Sequence, residues 1–389
     1  MKFGYFLNQN NRHLKKPFYE VVQEGRDIAE YCDQNGWHSI WTTEHHFGHE
    51  GFEVCPNPGL MSVDLAARTK QIRLGQAANI VTFYHPLRLA EDLAMLDHMS
   101  GGRLEVAVGR GIYPRETINL NPLADVANQE QNQEIFEETV EIMRRAWSQE
   151  YFEFQGKHYQ FPHPGVKFDH AMSPPEEHFQ DPETKEIRKL ALVPRTLQQP
   201  TPPMWQVIDS PRSIKFSAQN NLNGMFWIPP TDSMVPRFEM YQEEASKARG
   251  TDVPYGHGLA LVRDMFVTET MAEAEKLAGG GIIDYLKWVC HYRGLGNHVF
   301  PGETLEQTAG KLDLLSYEWL HPRNLLFGTP DYIAEKIHEM KEKLNLQHLL
   351  VWSNFPGVEH EAVMNSVKLF TQEVMPQFAE DAPAVAAAD

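Results

Sequence analysis

A short strand-forming run, Ser39-Ile40-Trp41, leads into Thr42-Thr43-Glu44-His45-His46-Phe47. One carboxyl and two imidazoles therefore stand side by side where a strand gives way to a loop. In α/β chains the C-terminal ends of buried strands are where catalytic groups collect. An imidazole there can donate, accept or hold a proton near neutral pH. Side chains alternate between faces along a strand, so only one histidine of the pair easily points along the axis of such a sheet. The plainer alternative is a structural polar cluster at a strand end. A metal centre needs further ligands at suitable spacing. His85, His98 and His291 are scattered and no H-E-x-x-H pattern occurs, so no metal is expected.

Three more groupings carry chemistry. Gly109-Arg110-Gly111-Ile112-Tyr113 closes a strand-like run; its glycines let backbone approach a ligand, and Arg110 can grip a phosphate at two points. The alternative is a tight turn with a surface ion pair. In Asp209-Ser210-Pro211-Arg212-Ser213, Asp209 or Ser210 caps a helix opening at Pro211. A helix N-terminus with hydroxyls also receives phosphate, although Asp209 opposes a dianion unless its side chain turns away. In Gly75-Gln76-Ala77-Ala78-Asn79 the two alanines leave space for a flat ring, or simply pack. Phe6, Phe47, Tyr113 and Trp227 lie at or just after strand ends, and that clustering points to a planar ligand. Nucleophile-elbow, P-loop and kinase signatures are absent, and the first βα turn, Asn8–Lys16, lacks G-x-G-x-x-G.

The elements that must position these groups alternate strand and helix. Strands are expected at Lys2–Leu7, Ser39–Glu44, Ile72–Ala78, Leu104–Gly109, Met204–Ile208, Gly224–Ile228, Leu259–Val267 and His348–Ser353. Helices are expected at Phe18–Asn35, Pro58–Thr69, Pro86–Met99, Gln129–Gln149, Pro211–Asn220, Ser233–Ala248, Ala272–Lys287 and Glu359–Val374. Strict alternation implies a parallel sheet, and at this length a closed (β/α)8 TIM barrel is the natural solution, with a doubly wound open sheet as the alternative. Residues 1–378 then form a single barrel domain with insertions after strands 4 and 7. One is Tyr151–Pro203, starting with a hairpin near Gly156; the other is Gly279–Leu326, read as a lid. Residues 379–389 read as a flexible tail.

Composition narrows the partners. A net charge of −18 argues against nucleic acid or an anionic membrane as the main partner, without excluding a local basic pocket. The three cysteines, Cys32, Cys55 and Cys290, are far apart, which fits a reducing, cytoplasmic setting. The N-terminus does not read as a secretory signal, and no apolar run reaches the ~18 residues of a membrane span.

Taken together, MKFGYFL, WTTEHHF, LGQAANI, HPLRLAEDLAMLDHMSGGRLEVAVGRGIY, FGTP and VKLFTQEVMP resemble the bacterial luciferase-like family of flavin-dependent monooxygenases, its α-subunit type in particular. The resemblance covers nearly the whole chain; it is poor in Tyr151–Pro203 beyond its start and weak in the lid. It implies a TIM barrel that takes reduced FMN from a separate flavin reductase. With O2 the flavin forms a C4a-peroxyflavin that oxidises a small apolar organic substrate, such as an aldehyde or ketone. It also implies a dimer, here a homodimer. By the same resemblance His45 is the catalytic histidine, and Arg110, Asp209, Ser210 and Ser213 form the phosphate site. Ala77–Ala78 is a non-prolyl cis peptide against the ring. Tyr113 joins His45 at the reacting centre, and Phe6, Phe47 and Trp227 line the substrate pocket.

Two departures stand out. Gly109 replaces luciferase's reactive cysteine beside the flavin, which enlarges the pocket and argues against light emission. A second phosphate arginine is absent; Gln131 to Gln133 occupy that stretch, leaving Arg212 as a substitute. Two alternative readings are a deazaflavin-dependent oxidoreductase and a non-catalytic flavin-binding subunit. Chains of the latter kind lose the histidine pair and the arginine–glycine at the fourth strand, both present here.

Overall fold

Helices cover the outer face of a closed parallel sheet and side chains fill its inside, so its strands need no polar face. Ser39–Thr42 and Leu259–Val267 show this plainly: every residue of both strands is buried. The computed structural model describes residues 1–173, 176–305 and 312–379. The expected tail lies outside the described residues from 380 onward.

The first half of the chain runs β1 (Lys2–Leu7), α1 (Phe18–Gln34), β2 (Ser39–Thr42), α2 (Pro58–Arg68), β3 (Arg73–Ile80), α3 (Pro86–Ser100), β4 (Leu104–Gly109), α4 (Pro114–Leu120) and α5 (Gln129–Ser148). An antiparallel hairpin, β5 (Phe154–Gln155) and β6 (Gln160–Phe161), opens the insertion. Then follow β7 (Met204–Val207), α6 (Pro211–Gln219), β8 (Asn223–Trp227), α7 (Thr231–Arg249), β9 (Leu259–Val267), α8 (Met271–Ala274), α9 (Gly280–Arg293), α10 (Tyr317–Asn324), β10 (Leu325–Gly328), α11 (Pro330–Leu344), β11 (His348–Trp352) and α12 (His360–Leu369). Parallel pairing passes from β1 through β2, β3, β4, β7, β8, β9 and β11 back to β1. The expected (β/α)8 barrel is closed.

Differences from expectation are local. β2 stops at Thr42 rather than Glu44, and β3 continues to Ile80. The pairing of β3 with β4 skips Ala77 and Ala78, whose connecting peptide is cis. Helix α4 and the pair β10 and α11 are additional elements. β10 pairs with Asp264–Val267 of β9, beyond the Leu259–Val262 stretch that pairs with β8. Helix α11 has plain causes: Thr329 caps it by accepting from the Tyr332 N–H, and Ile333, Ala334, Ile337, Met340 and Leu344 form its buried stripe.

The Gly279-Gly280-Gly281 run, where the supposed lid begins, lies inside a helical stretch from Met271 to Arg293, which contains the expected helix Ala272–Lys287. At Gly281 a Cβ would sit 2.4 Å from the Pro356 carbonyl oxygen, so glycine serves close approach there and not a turn. Inside the barrel, Gly75 makes room for the Trp41 ring, which a Cβ would meet at 2.1 Å. Trp41, Ala107, Trp205, Ala260 and Leu350 fill the interior together with Ala77 and Ala78. The barrel is thus a packed plug, and open space begins only above the strands' C-terminal ends.

Candidate active site

That space is a cavity lined from nearly every barrel strand and the loop after it. Its walls include Phe6, His45, Ala77, Ala78, Gly109, Arg110, Tyr113, Asp209, Ser210, Ser213 and Trp227. Phe47 is the exception among the expected site residues. The chain has left the strand by then; Phe47 has φ 57°, is 52% exposed and does not line the cavity.

At one end of the cavity, His45 sits between two carboxylates. Its Nε2 lies 3.4 Å from Glu53 Oε1 and its Nδ1 3.4 Å from Glu116 Oε1. The ring's backbone is pinned by the His45 N–H donating to the Cys55 carbonyl. Burial disfavours a charged imidazole here, but Glu53, then Glu116 and Glu44, overcome it and raise the pKa above its ordinary 6.5. Glu53 is itself oriented: the Tyr285 hydroxyl donates to it at 2.7 Å and accepts from the Asn8 amide at 3.0 Å. Glu116 accepts the His46 N–H at 2.7 Å. Tyr113 stands beside His45, ring centroids 5.5 Å apart. Burial, reinforced by Glu53, holds the Tyr113 proton on, and its hydroxyl has no hydrogen-bond partner among the described residues.

The neighbours of His45 in sequence do different work. Glu44 accepts from the Ile80 N–H and the Tyr84 hydroxyl, both at 2.7 Å, and lies 3.0 Å from His46 Nε2. Those contacts tie the end of β2 to the end of β3 and hold His46 away from the cavity. The motif thus divides into one histidine facing open space and a structural acid–imidazole pair.

At the other end the groups are basic. The Arg110 guanidinium donates to the Asn132 and Gln129 side-chain oxygens, at 3.1 and 3.3 Å. Ser210 and Ser213 form a reciprocal capping box at the start of α6. Asp209 meets Arg293 from the C-terminal end of α9, 3.3 Å from Nη1 to Oδ2. Arg293, and not Arg212, is the second arginine lining the cavity.

Between the ends lie Ala77, Ala78, Gly109, Val207, Met225 and Val262. A Cβ at position 109 would come within 3.1 Å of the Ala78 Cβ and of Ile80. Glycine at 109 thus lets β4 pack closely against Ala78 and Ile80. Trp227 also lines the cavity and donates to Asp264 at 3.3 Å. Burial pushes the Asp264 carboxyl up to about 7, against the opposing pull of the Trp227 hydrogen bond and Arg263.

Glu53, Glu116, Tyr285 and Arg293 are site residues that sequence reasoning does not single out. Glu53 and Glu116 lie in segments with no motif of their own, and Tyr285 and Arg293 lie in the supposed lid. A four-residue spacing of Tyr285, Val289 and Arg293 is the one signal that was available. Among the described residues no cluster of three or more His, Cys, Asp or Glu is placed to hold a metal, and no helix is long and apolar enough to cross a membrane.

Comparison with known proteins finds relatives over nearly the whole chain. The oxygenase component of a flavin-dependent trigonelline monooxygenase from Acinetobacter baylyi is 25% identical, over 98% of this chain and 96% of its own. The oxygenating constituent of 3,6-diketocamphane monooxygenase from Pseudomonas putida, a type II Baeyer–Villiger monooxygenase solved with FMN, superposes with a TM-score of 0.77 at 21% identity, covering 97% and 98% of the two chains. An F420-dependent secondary alcohol dehydrogenase shares the fold at a TM-score of 0.66 and 16% identity, covering 97% and 99%. The sequence model of the family described as luciferase-like monooxygenase matches residues 1–347. The chain belongs to the luciferase-like monooxygenase family, and is with it a flavin-dependent monooxygenase.

Proposed function

We propose that this chain is the oxygenase component of a two-component system. It takes reduced FMN from a separate flavin reductase and uses O2 to oxidise a small organic carbonyl compound. The observation that carries this reading is one cavity with a cationic, hydroxyl-rich end, an apolar middle that includes the small residues Ala77, Ala78 and Gly109, and a histidine end. The residues present fit FMN. Arg110 and the Ser210–Ser213 helix start suit a phosphate, and the small residues Ala77, Ala78 and Gly109 lining the cavity suit a flat ring. When bound in its reduced form, the flavin supplies the electrons that activate O2.

The chain's own groups supply the rest. His45, whose pKa Glu53 and Glu116 raise, donates a hydrogen bond or proton to a reacting oxygen and takes the proton back. Tyr113, an unpartnered O–H beside it, is a second donor for a carbonyl oxygen. Phe6, Trp227 and the face of α9 carrying Val289 exclude water from the space above the ring. A ketone substrate is supported by the Baeyer–Villiger name of the Pseudomonas putida relative and by the two donors. A homodimer in the cytoplasm completes the reading; the family resemblance supports the first, and the three free, buried cysteines fit the second.

Anaerobic titration with reduced FMN and with reduced F420 tests the cofactor; FMN is expected to bind more tightly, and the reverse order moves the chain to the deazaflavin reading. Mass spectrometry of a ketone panel under 18O2, with a reductase present, tests the reaction. O2 consumption at the reductase background with every ketone points instead to a non-catalytic flavin binder.

A further inference from the structure

Three cavity-lining side chains come from α9: Tyr285, Val289 and Arg293. Spaced every fourth residue, they share one face of the helix and span the cavity from end to end. Tyr285 reaches the Glu53–His45 end. Arg293 reaches the Arg110 end, where its Nη1 touches Asp209 and its buried Nε has no partner.

This basic end holds an imbalance. Arg110 is half-buried and hydrogen-bonds only amide oxygens, with no ion pair among the described residues; Arg212 adds a like charge nearby, and Asp209 and Glu137 offset it from a distance. Arg237 also lies within electrostatic reach of Asp209. Asp209 is the one lining carboxylate at this end, since Glu44, Glu53 and Glu116 all stand at the other. Its contact with Arg293 is long, single and open to solvent, with side-chain exposures of 21% for Arg293 and 46% for Asp209. Such a pair is weak. A phosphate dianion gripped by two guanidiniums is a stronger partner, and Asp209 is exposed enough to swing away.

We propose that Arg293 is the second guanidinium of the phosphate site, and that Asp209 holds it only until a phosphate monoester takes its place. This rests on the reading of the cavity as a reduced-FMN site. The arginine missing from the start of α5 is replaced from a different element, across the mouth. Asp209 is then a place-holder and a brake on binding, not a phosphate ligand.

The test compares reduced FMN with reduced riboflavin, which lacks the phosphate, by anaerobic titration. Thermal unfolding with and without inorganic phosphate reads the same site free of any flavin. Arg293→Gln is expected to weaken FMN about tenfold or more, to leave riboflavin unchanged and to abolish the phosphate-induced rise in Tm. Arg293→Lys, the variant to read if the glutamine protein is poorly folded, is expected to fall between. Asp209→Asn is expected to tighten FMN and leave riboflavin alone. The proposal is overturned if Arg293→Gln keeps the wild-type preference for FMN over riboflavin, or if Asp209→Asn weakens FMN. A wild-type protein that binds neither flavin overturns the cofactor reading itself, and this proposal with it.

Discussion

The two ends of the cavity are built from opposite charges at different depths. Around His45 the carboxylates are sealed in: Glu44, Glu53 and Glu116 are 1%, 5% and 2% exposed. Around Arg110 the charged groups are partly open to water. Burial lowers the local dielectric, so charges at the first end act strongly on whatever they touch. Exposure weakens each contact at the second end and leaves it free to exchange partners. One end therefore biases a proton equilibrium, while the other can accept and release an ion.

Removing the central group at the buried end is the strongest way to break this contrast. His45→Ala is expected to lower product formation at least ~100-fold, the low end of acid–base contributions, with reduced FMN binding nearly intact. Turnover within a few-fold of wild type would remove His45 from the chemistry. At the open end, Arg110→Ala is expected to weaken reduced FMN by about tenfold to a hundredfold, the loss of a charge-assisted hydrogen bond, while changing riboflavin little. An unchanged dissociation constant for FMN would detach Arg110 from the phosphate.

Glu53→Gln sharpens the comparison without emptying either end. Glu53 is the largest influence raising the His45 pKa, so the variant should titrate this imidazole at lower pH, read by NMR of labelled histidine in flavin-free protein. The sign carries into stability. A histidine pKa raised by folding contributes fully below the unfolded value and is lost as pH rises through the folded one. The wild type should therefore lose more stability than Glu53→Gln as pH climbs from 6.5 upward through that raised value. Parallel pH–stability curves would remove Glu53 from this role. The smallest expected effect is salt. Raising ionic strength should loosen FMN modestly while leaving the His45 titration nearly unmoved, because buried pairs are screened far less than open ones. Equal sensitivity at the two ends would erase the difference in depth.

Much of this was legible in the residues. Pro86 at a helix start and Gly101 in a left-handed C-cap bracket α3 as read. The strand runs showed continuous burial, and His45, Arg110 and the Ser210–Ser213 cap each sat at a strand end. Phe47 misled because position just after a strand end does not fix which way a loop residue points, and its backbone has turned to φ 57°. The glycine run at 279–281 lay within an expected helix, but only the position of Pro356 shows why glycine is needed there.

Glu53, Glu116, Tyr285 and Arg293 mark the boundary between the two kinds of information. The sequence by itself determined the alternation of strands and helices, the closed barrel they imply and the residues delivered to the strand ends, because periodicity and caps are local. Only the tertiary structure decided that two unremarked glutamates flank His45, since they arrive from a loop and from α4. It alone decided that α9 lays one face across the mouth, bringing Tyr285 within 2.7 Å of a residue 232 positions away. The charge on an imidazole depends on the groups around it in space, and spacing along the chain does not record them.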